Sequence, residues 1–213
     1  MNTNTKKIVT LAMLSAIAYV VMAVGRVPIV LFLKYDPKDV IIAIGGFIFG
    51  PASAFLMSLV VSFVEMFTVS GDGFIGFFMN VIATCAFACT AAYIYKHKRS
   101  LSGAVIGLIA GSLAMTGLML LWNYIITPIY MGLPREQVAE MLIPFFLPFN
   151  LLKSGLNAAF TMLLYKPVVT VFRKSHLLPE PAQGKKMKIN WGVLLTSLFV
   201  LATCVLVIFL WFR

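Results

Sequence analysis

Between Ile143 and Phe160 the chain reads IPFFLPFNLLKSGLNAAF, an apolar run that carries Asn150, Lys153 and Asn157. On a helix, residues three and seven positions apart share a face, so these groups form one polar stripe among Phe and Leu. A lysine inside a membrane-spanning run is costly and is normally retained facing a partner in the protein interior. Three hydrogen-bonding groups on one stripe suit a flat small molecule with a polar edge. The plainer alternative is that Lys153 reaches back to the nearer interface while the two asparagines tie helices together.

Other residues tip the balance toward a pocket. The carboxamides of Asn123 and Asn150 each donate and accept, whereas Lys153 only donates. Together they complement a ring edge that alternates carbonyls with an N–H. Asn80 stands one to two turns into its own apolar run and joins this set. Tyr35, Trp122, Tyr124, Phe145, Phe146 and Phe149 are candidates for aromatic walls. The loop residues Asp36 and Asp72 can accept hydrogen bonds from hydroxyls. The ligand chemistry these residues suit is a planar, polyhydroxylated heterocycle.

Several other chemistries lack their residues. There is no G-x-x-x-x-G-K-[ST] phosphate loop. No Ser/His/Asp set, H-E-x-x-H or pair of catalytic acids appears. The charges inside the apolar runs are few and suggest no proton relay. His97 and His176 both sit in basic loops and read as solvated. Cys85 and Cys89 lie four apart on one helix without a His or acid beside them, so they read as small packing residues rather than metal ligands.

Composition defines the elements that hold these groups. The 213 residues are 61% hydrophobic and 11% charged, with mean hydropathy +0.98. Soluble domains average roughly 45–50% apolar and 25% charged, so an all-α integral membrane protein is expected. A span needs about 20 apolar residues, which leaves room for six or seven and no soluble domain. Ile8 to Val24 is the first. Ala23-Val24-Gly25 resembles a cleavage site, but Arg26 and Pro28 follow at once and the run carries Ala12 and Ala16. Small residues four apart let a partner backbone approach closely. Arg26 to Asp39 reads as a structured loop. Val40 to Phe49 and Ala52 to Val69 form a helical hairpin broken at Gly50-Pro51. Phe74 to Tyr95 follows the turn Ser70-Gly71-Asp72-Gly73. Ala104 to Ile126 is next, then a loop from Thr127 to Glu140, then a helix from about Met141 to Phe172. A basic linker leads to a last apolar run, Ile189 to Phe212, which reads as an added anchor.

The loops set an orientation. Eleven of the seventeen basic residues share one side with Glu180 alone among the acids: Lys6, Lys7, Lys96, Lys98, Arg99, Lys166, Arg173, Lys174, Lys185, Lys186 and Lys188. The positive-inside rule makes that side and the N-terminus cytoplasmic. The net charge of +10 therefore reports membrane topology and implies no nucleic-acid partner. Asn80, Asn123, Asn150 and Lys153 then fall in the outer halves of their helices, beside Asp36 and Asp72.

KKIVTLAMLSAIAYV at the start, FIFGPA at the hairpin, SGDG before the fourth helix, Asn123 before Tyr124, and PFNLLKSG from Pro148 to Gly155 occur in order. This set resembles the riboflavin-specific substrate-binding subunit of energy-coupling factor vitamin transporters, over about the first 175 residues. The resemblance implies a six-helix body over residues 1–175, with riboflavin bound as substrate near the outer face and no cofactor. Asn123, Asn150 and Lys153 would contact the isoalloxazine ring and the first loop would cap it. Ala12 and Ala16 would meet a transmembrane coupling subunit that works with two cytoplasmic ATPases in the cell membrane. Residues 176–188 would be a cytoplasmic linker, and residues 189–213 an additional helix that departs from the family. The other functions weighed are a binding subunit for thiamin or pantothenate, a stand-alone secondary transporter, and a small lipid-modifying enzyme.

Overall fold

The computed structural model describes residues 3–30, 33–177 and 191–211. Most of the expected linker (178–188), with Glu180, Lys185, Lys186 and Lys188, lies outside the described residues.

A short helix organises the core. In α2 (Lys38–Phe49) every residue from Val40 to Phe47 is buried. A helix that is apolar on all sides belongs inside other helices, and α2 packs against α1 (Thr3–Gly25), α3 (Pro51–Thr68), α4 (Gly73–His97) and α6 (Arg135–Lys174). Twelve residues reach only about 18 Å, well short of a bilayer. Gly45 and Gly46 make the close packing possible. A Cβ at Gly45 would sit 2.5 Å from Met57 Sδ, and one at Gly46 would sit 2.9 Å from Ala92 Cβ and 3.0 Å from Ala54 Cβ. Gly50, at φ 94°, takes the left-handed backbone that turns α2 into α3, and Pro51 opens α3 where a missing N–H costs nothing.

Among the described residues, five helices are long and apolar enough to cross a membrane: α1, α3, α4, α5 (Leu101–Met131) and α6. Their lipid-facing sides carry exposed large apolar residues, such as Phe55, Phe63, Ile109 and Leu113. α5 meets α4 through Gly107 and Gly111, where a Cβ would lie 2.7 Å and 2.4 Å from the carbonyl oxygens of Ala91 and Phe87. A π-helical turn at Cys85–Cys89 interrupts α4 at this contact. α7 (Trp191–Trp211) packs along α6.

Two expected boundaries moved. The loop expected from Thr127 to Glu140 is almost entirely helical. α5 continues through Pro128 to a left-handed end at Gly132, and α6 already begins at Arg135. Val138 is fully buried while Glu136 and Glu140 are exposed, so a short amphipathic face holds this turn on the bundle. Pro144 falls in a π-helical turn, Leu142–Phe146, where an irregular hydrogen-bond ladder accommodates the missing N–H. The loop after α1 is structured, as its composition suggested, but as a hairpin. β1 (Val27–Val30) pairs antiparallel with β2 (Leu33–Tyr35), with Val27 opposite Tyr35. In β2 Leu33 and Tyr35 turn inward and Lys34 outward, the period-two pattern of a half-buried strand. In β1 an irregularity between Pro28 and Val30 breaks that alternation, so Ile29 is buried although Val27, two residues before it, is exposed.

Candidate functional site

The hairpin closes one end of the bundle over a cleft of about 830 Å³, its open mouth included. Several helices and the hairpin share its walls. The start of α4 supplies Gly76, Met79 and Asn80, α5 supplies Met119, Trp122, Asn123 and Tyr130, and α6 supplies Phe149, Asn150 and Lys153. Arg26, Lys34 and Asp36 come from the hairpin region, Glu65 from the end of α3, and Asp72 from the turn before α4.

Of the polar residues singled out for binding, Asn80, Asn123, Asn150, Lys153, Asp36 and Asp72 all line this cleft. Tyr35 is not among its lining residues. Its ring packs with Val138, Phe146 and Phe149 beneath the hairpin, because its strand turns that side inward. Of the other aromatic candidates, Trp122 and Phe149 line the cleft. Phe146 is fully buried beside it, and Tyr124 lies under the guanidinium of Arg135, 5.6 Å from its ring centre. Asn157 continues the stripe of Asn150 and Lys153 but lies deeper. Seven residues carry it about 10 Å along the axis, where it is fully buried and donates to Asp39 Oδ2 at 3.1 Å.

The carboxamides are held by their own helices. Asn123 Nδ2 donates to the Met119 carbonyl at 2.7 Å while its Oδ1 accepts from Thr127 at 2.9 Å. Asn150 Nδ2 donates to the Phe146 carbonyl at 2.8 Å. Each of these bonds uses one of an amide's two N–H groups and fixes the direction of the other. At the mouth, Tyr130 donates to Asp72 Oδ1 at 2.5 Å.

Beneath the carboxamides lies a charge network that sequence reading did not foresee. Lys153 Nζ stands 3.7 Å from Asp36 and 3.9 Å from Asp39. Arg26 and Lys38 both bond Glu65, and Arg26 lies 3.9 Å from Asp36. Glu65 therefore pairs with Arg26 and Lys38, and Lys153 with the two aspartates. Asn80 donates to Glu65 at 3.0 Å, and Thr84 to Asp39 at 2.6 Å. Lys38, Asp39 and Glu65 are wholly buried. Three cations face three anions, and that balance is what makes burial tolerable, since an unpaired buried charge costs several kcal/mol, roughly. Burial works against ionisation of Asp36, but Lys153, Lys38 and Arg26 outweigh it and hold the carboxyl below the usual range. Two buried atoms of cleft-lining residues, Arg26 Nε and Asp36 Oδ1, have no hydrogen-bond partner among the described residues.

Lys38 and Asp39 close the stretch expected as a loop, yet they belong to α2. The signal was there: they open a helix apolar on every side, so its first turn is as buried as its middle. Asp39 also suits that position, where a helix N-terminus favours negative charge.

An apolar helical bundle with a neutral, densely hydrogen-bonded cleft at one end defines a membrane protein that captures a small polar molecule. The family profile described as ECF transporter, substrate-specific component, matches residues 6–165, and the chain belongs to that family. The family is a transporter component and not an enzyme. A riboflavin transporter, RibU, of Staphylococcus aureus (strain TCH60) is 30% identical over 180 residues, covering 80% of this chain and 94% of the relative. The riboflavin transporter FmnP of Bacillus subtilis (strain 168) is 28% identical over 191 residues, covering 82% and 99%. A solved S component of a bacterial ECF transporter matches with a TM-score of 0.68 at 30% identity, over 80% of this chain and 99% of that one.

Proposed function

We propose that this chain is the riboflavin-specific substrate-binding subunit of an ECF importer in the cell membrane. The observation that carries the reading is one coincidence. A cleft lined by Asn80, Asn123, Asn150, Lys153 and Trp122 occurs in a chain whose relatives, over nearly their full length, are named riboflavin transporters. The carboxamides and Lys153 meet the carbonyl and N–H edge of the isoalloxazine, and Trp122 and Phe149 flank its faces. Asp36 and Asp72 accept from the ribityl hydroxyls, and Arg26 Nε and Asp36 Oδ1 supply further partners. Tyr35 acts from behind, by holding the hairpin down over the ring.

The cleft faces outward and the N-terminus lies in the cytoplasm, in keeping with the basic residues at the other end of the bundle. Residues 1–175 form a six-helix binding body, 176–188 a cytoplasmic linker, and 189–213 an added spanning helix. The chain works with a transmembrane coupling subunit and two cytoplasmic ATPases, and docks on the first through Ala12 and Ala16. Both alanines are exposed on α1, opposite the buried Leu14 and Ala18, which leaves room for a partner helix.

Protein purified in detergent after growth with riboflavin is expected to be yellow, with one flavin per chain by absorption. Colourless protein that instead retains thiamin or pantothenate would assign the cleft to another vitamin.

A further inference from the structure

A second cavity lies at the opposite end of the bundle from the cleft, where α4 ends and α5 begins. It encloses about 1390 Å³, its open side included, and is closed on one flank by the first turns of α7, through Val193 and Leu194. Arg99, Lys166 and Arg173 line it, and among the described residues no carboxylate does. Lys166 and Arg173 are seven residues apart on α6, so they share a face. Phe47, Tyr95 and Tyr165 lie together at its wall, with Phe47 4.6 Å from Tyr95 and 5.9 Å from Tyr165 between ring centres. The two phenol oxygens stand 3.4 Å apart. Alongside the polar groups the lining is apolar, with Met162 and Leu163 on α6 facing the same space as Val193 and Leu194.

Three cations and two phenols beside apolar walls match an amphiphile with an anionic head. A positive-inside bias alone leaves cations on open loops. Here Lys166 and Arg173 stand on α6 and, with the loop residue Arg99, surround a recess between helices, the setting in which basic pockets take lipid headgroups. A free phosphate would satisfy the cations and leave the apolar walls unused. We propose that this cavity binds an anionic phospholipid, its phosphate among Arg99, Lys166 and Arg173 and its acyl chains against α6 and α7. The bound lipid fills the space between α7 and the body and so seats the last helix. The inference does not depend on which vitamin the cleft takes.

The test is native mass spectrometry of the full chain in detergent, titrated separately with phosphatidylglycerol, phosphatidylcholine and glycerol phosphate. Phosphatidylglycerol is expected to bind in preference to the other two. Each cation near an anionic headgroup contributes about fivefold in affinity, so Arg99→Gln/Lys166→Gln should weaken binding about 25-fold. Lys96→Gln/Lys98→Gln removes the same charge from exposed positions outside the cavity and should leave binding within about twofold. Arg99→Gln alone, at an exposed position, should show a fivefold loss and guards against misfolding of the double variant. The proposal is overturned by equal losses in the two double variants, by unchanged binding in Arg99→Gln, or by phosphatidylcholine or glycerol phosphate binding as tightly as phosphatidylglycerol.

Discussion

Lys153 has two roles that substitution can separate. It lines the cleft, and it is one of three cations balancing Asp36, Asp39 and Glu65. With Lys153 donating to the ligand as proposed, Lys153→Met should remove a charge-assisted hydrogen bond and lower affinity by about 1.5–3 kcal/mol, ten- to a hundredfold. It also leaves an unbalanced buried anion, which costs about 3–5 kcal/mol of stability. Asp39→Asn leaves the network one buried cation in excess instead, with Asp36 still beside Lys153, and should destabilise by a similar amount. The double variant Asp39→Asn/Lys153→Met restores neutrality. Its melting temperature should recover most of either single loss, while its flavin affinity stays as low as that of Lys153→Met. Recovered affinity in the double variant would remove Lys153 from ligand binding. Asn123 and Asn150 carry no such structural charge. Asn123→Leu and Asn150→Leu should each lower affinity while membrane yield stays at the parent level. A yield that falls in step with binding would mean that the carboxamides only tie helices together.

At the scale of elements, α2 is the part least able to change. Gly46 touches Ala54 and Ala92 on two other helices. Gly46→Leu therefore overpacks the centre and should cost about 1–3 kcal/mol or more, seen as a lower melting temperature. α1 behaves differently on its outer face, where Ala12 and Ala16 are exposed. Ala12→Trp/Ala16→Trp should abolish pull-down of the coupling subunit and leave flavin binding intact. Loss of flavin binding in that variant, or retained pull-down, would put the docking face elsewhere. The start of α6 shows how an element can be misread. Prolines and glutamates between Thr127 and Glu140 signalled a loop, but the buried Val138 and the π-helical turn at Pro144 keep the chain helical.

For the whole molecule, the question is energy. The buried charges lie in one compact, neutral group beneath the cleft. The purified chain in vesicles should bind flavin yet not accumulate it when a proton or sodium gradient is imposed. Robust accumulation would make it a secondary transporter.

Membrane residence, the long apolar helices, the turn at Gly50-Pro51 and the gathering of Asn80, Asn123, Asn150 and Lys153 at one end were all legible in the sequence. The first three follow from local rules, since apolar length, helical period and turn chemistry act on neighbouring residues. The gathering at one end follows from the charge bias of the loops, which orients every span at once. The partners of the charges were not legible. Lys38 and Glu65 are 27 positions apart, and Asn157 and Asp39 are 118 apart. No local pattern links such residues. The folding of the bundle around α2 alone turned apparent loop charges into a buried, balanced network, because once that helix is enclosed its first turn cannot reach water and must find its partners within the protein.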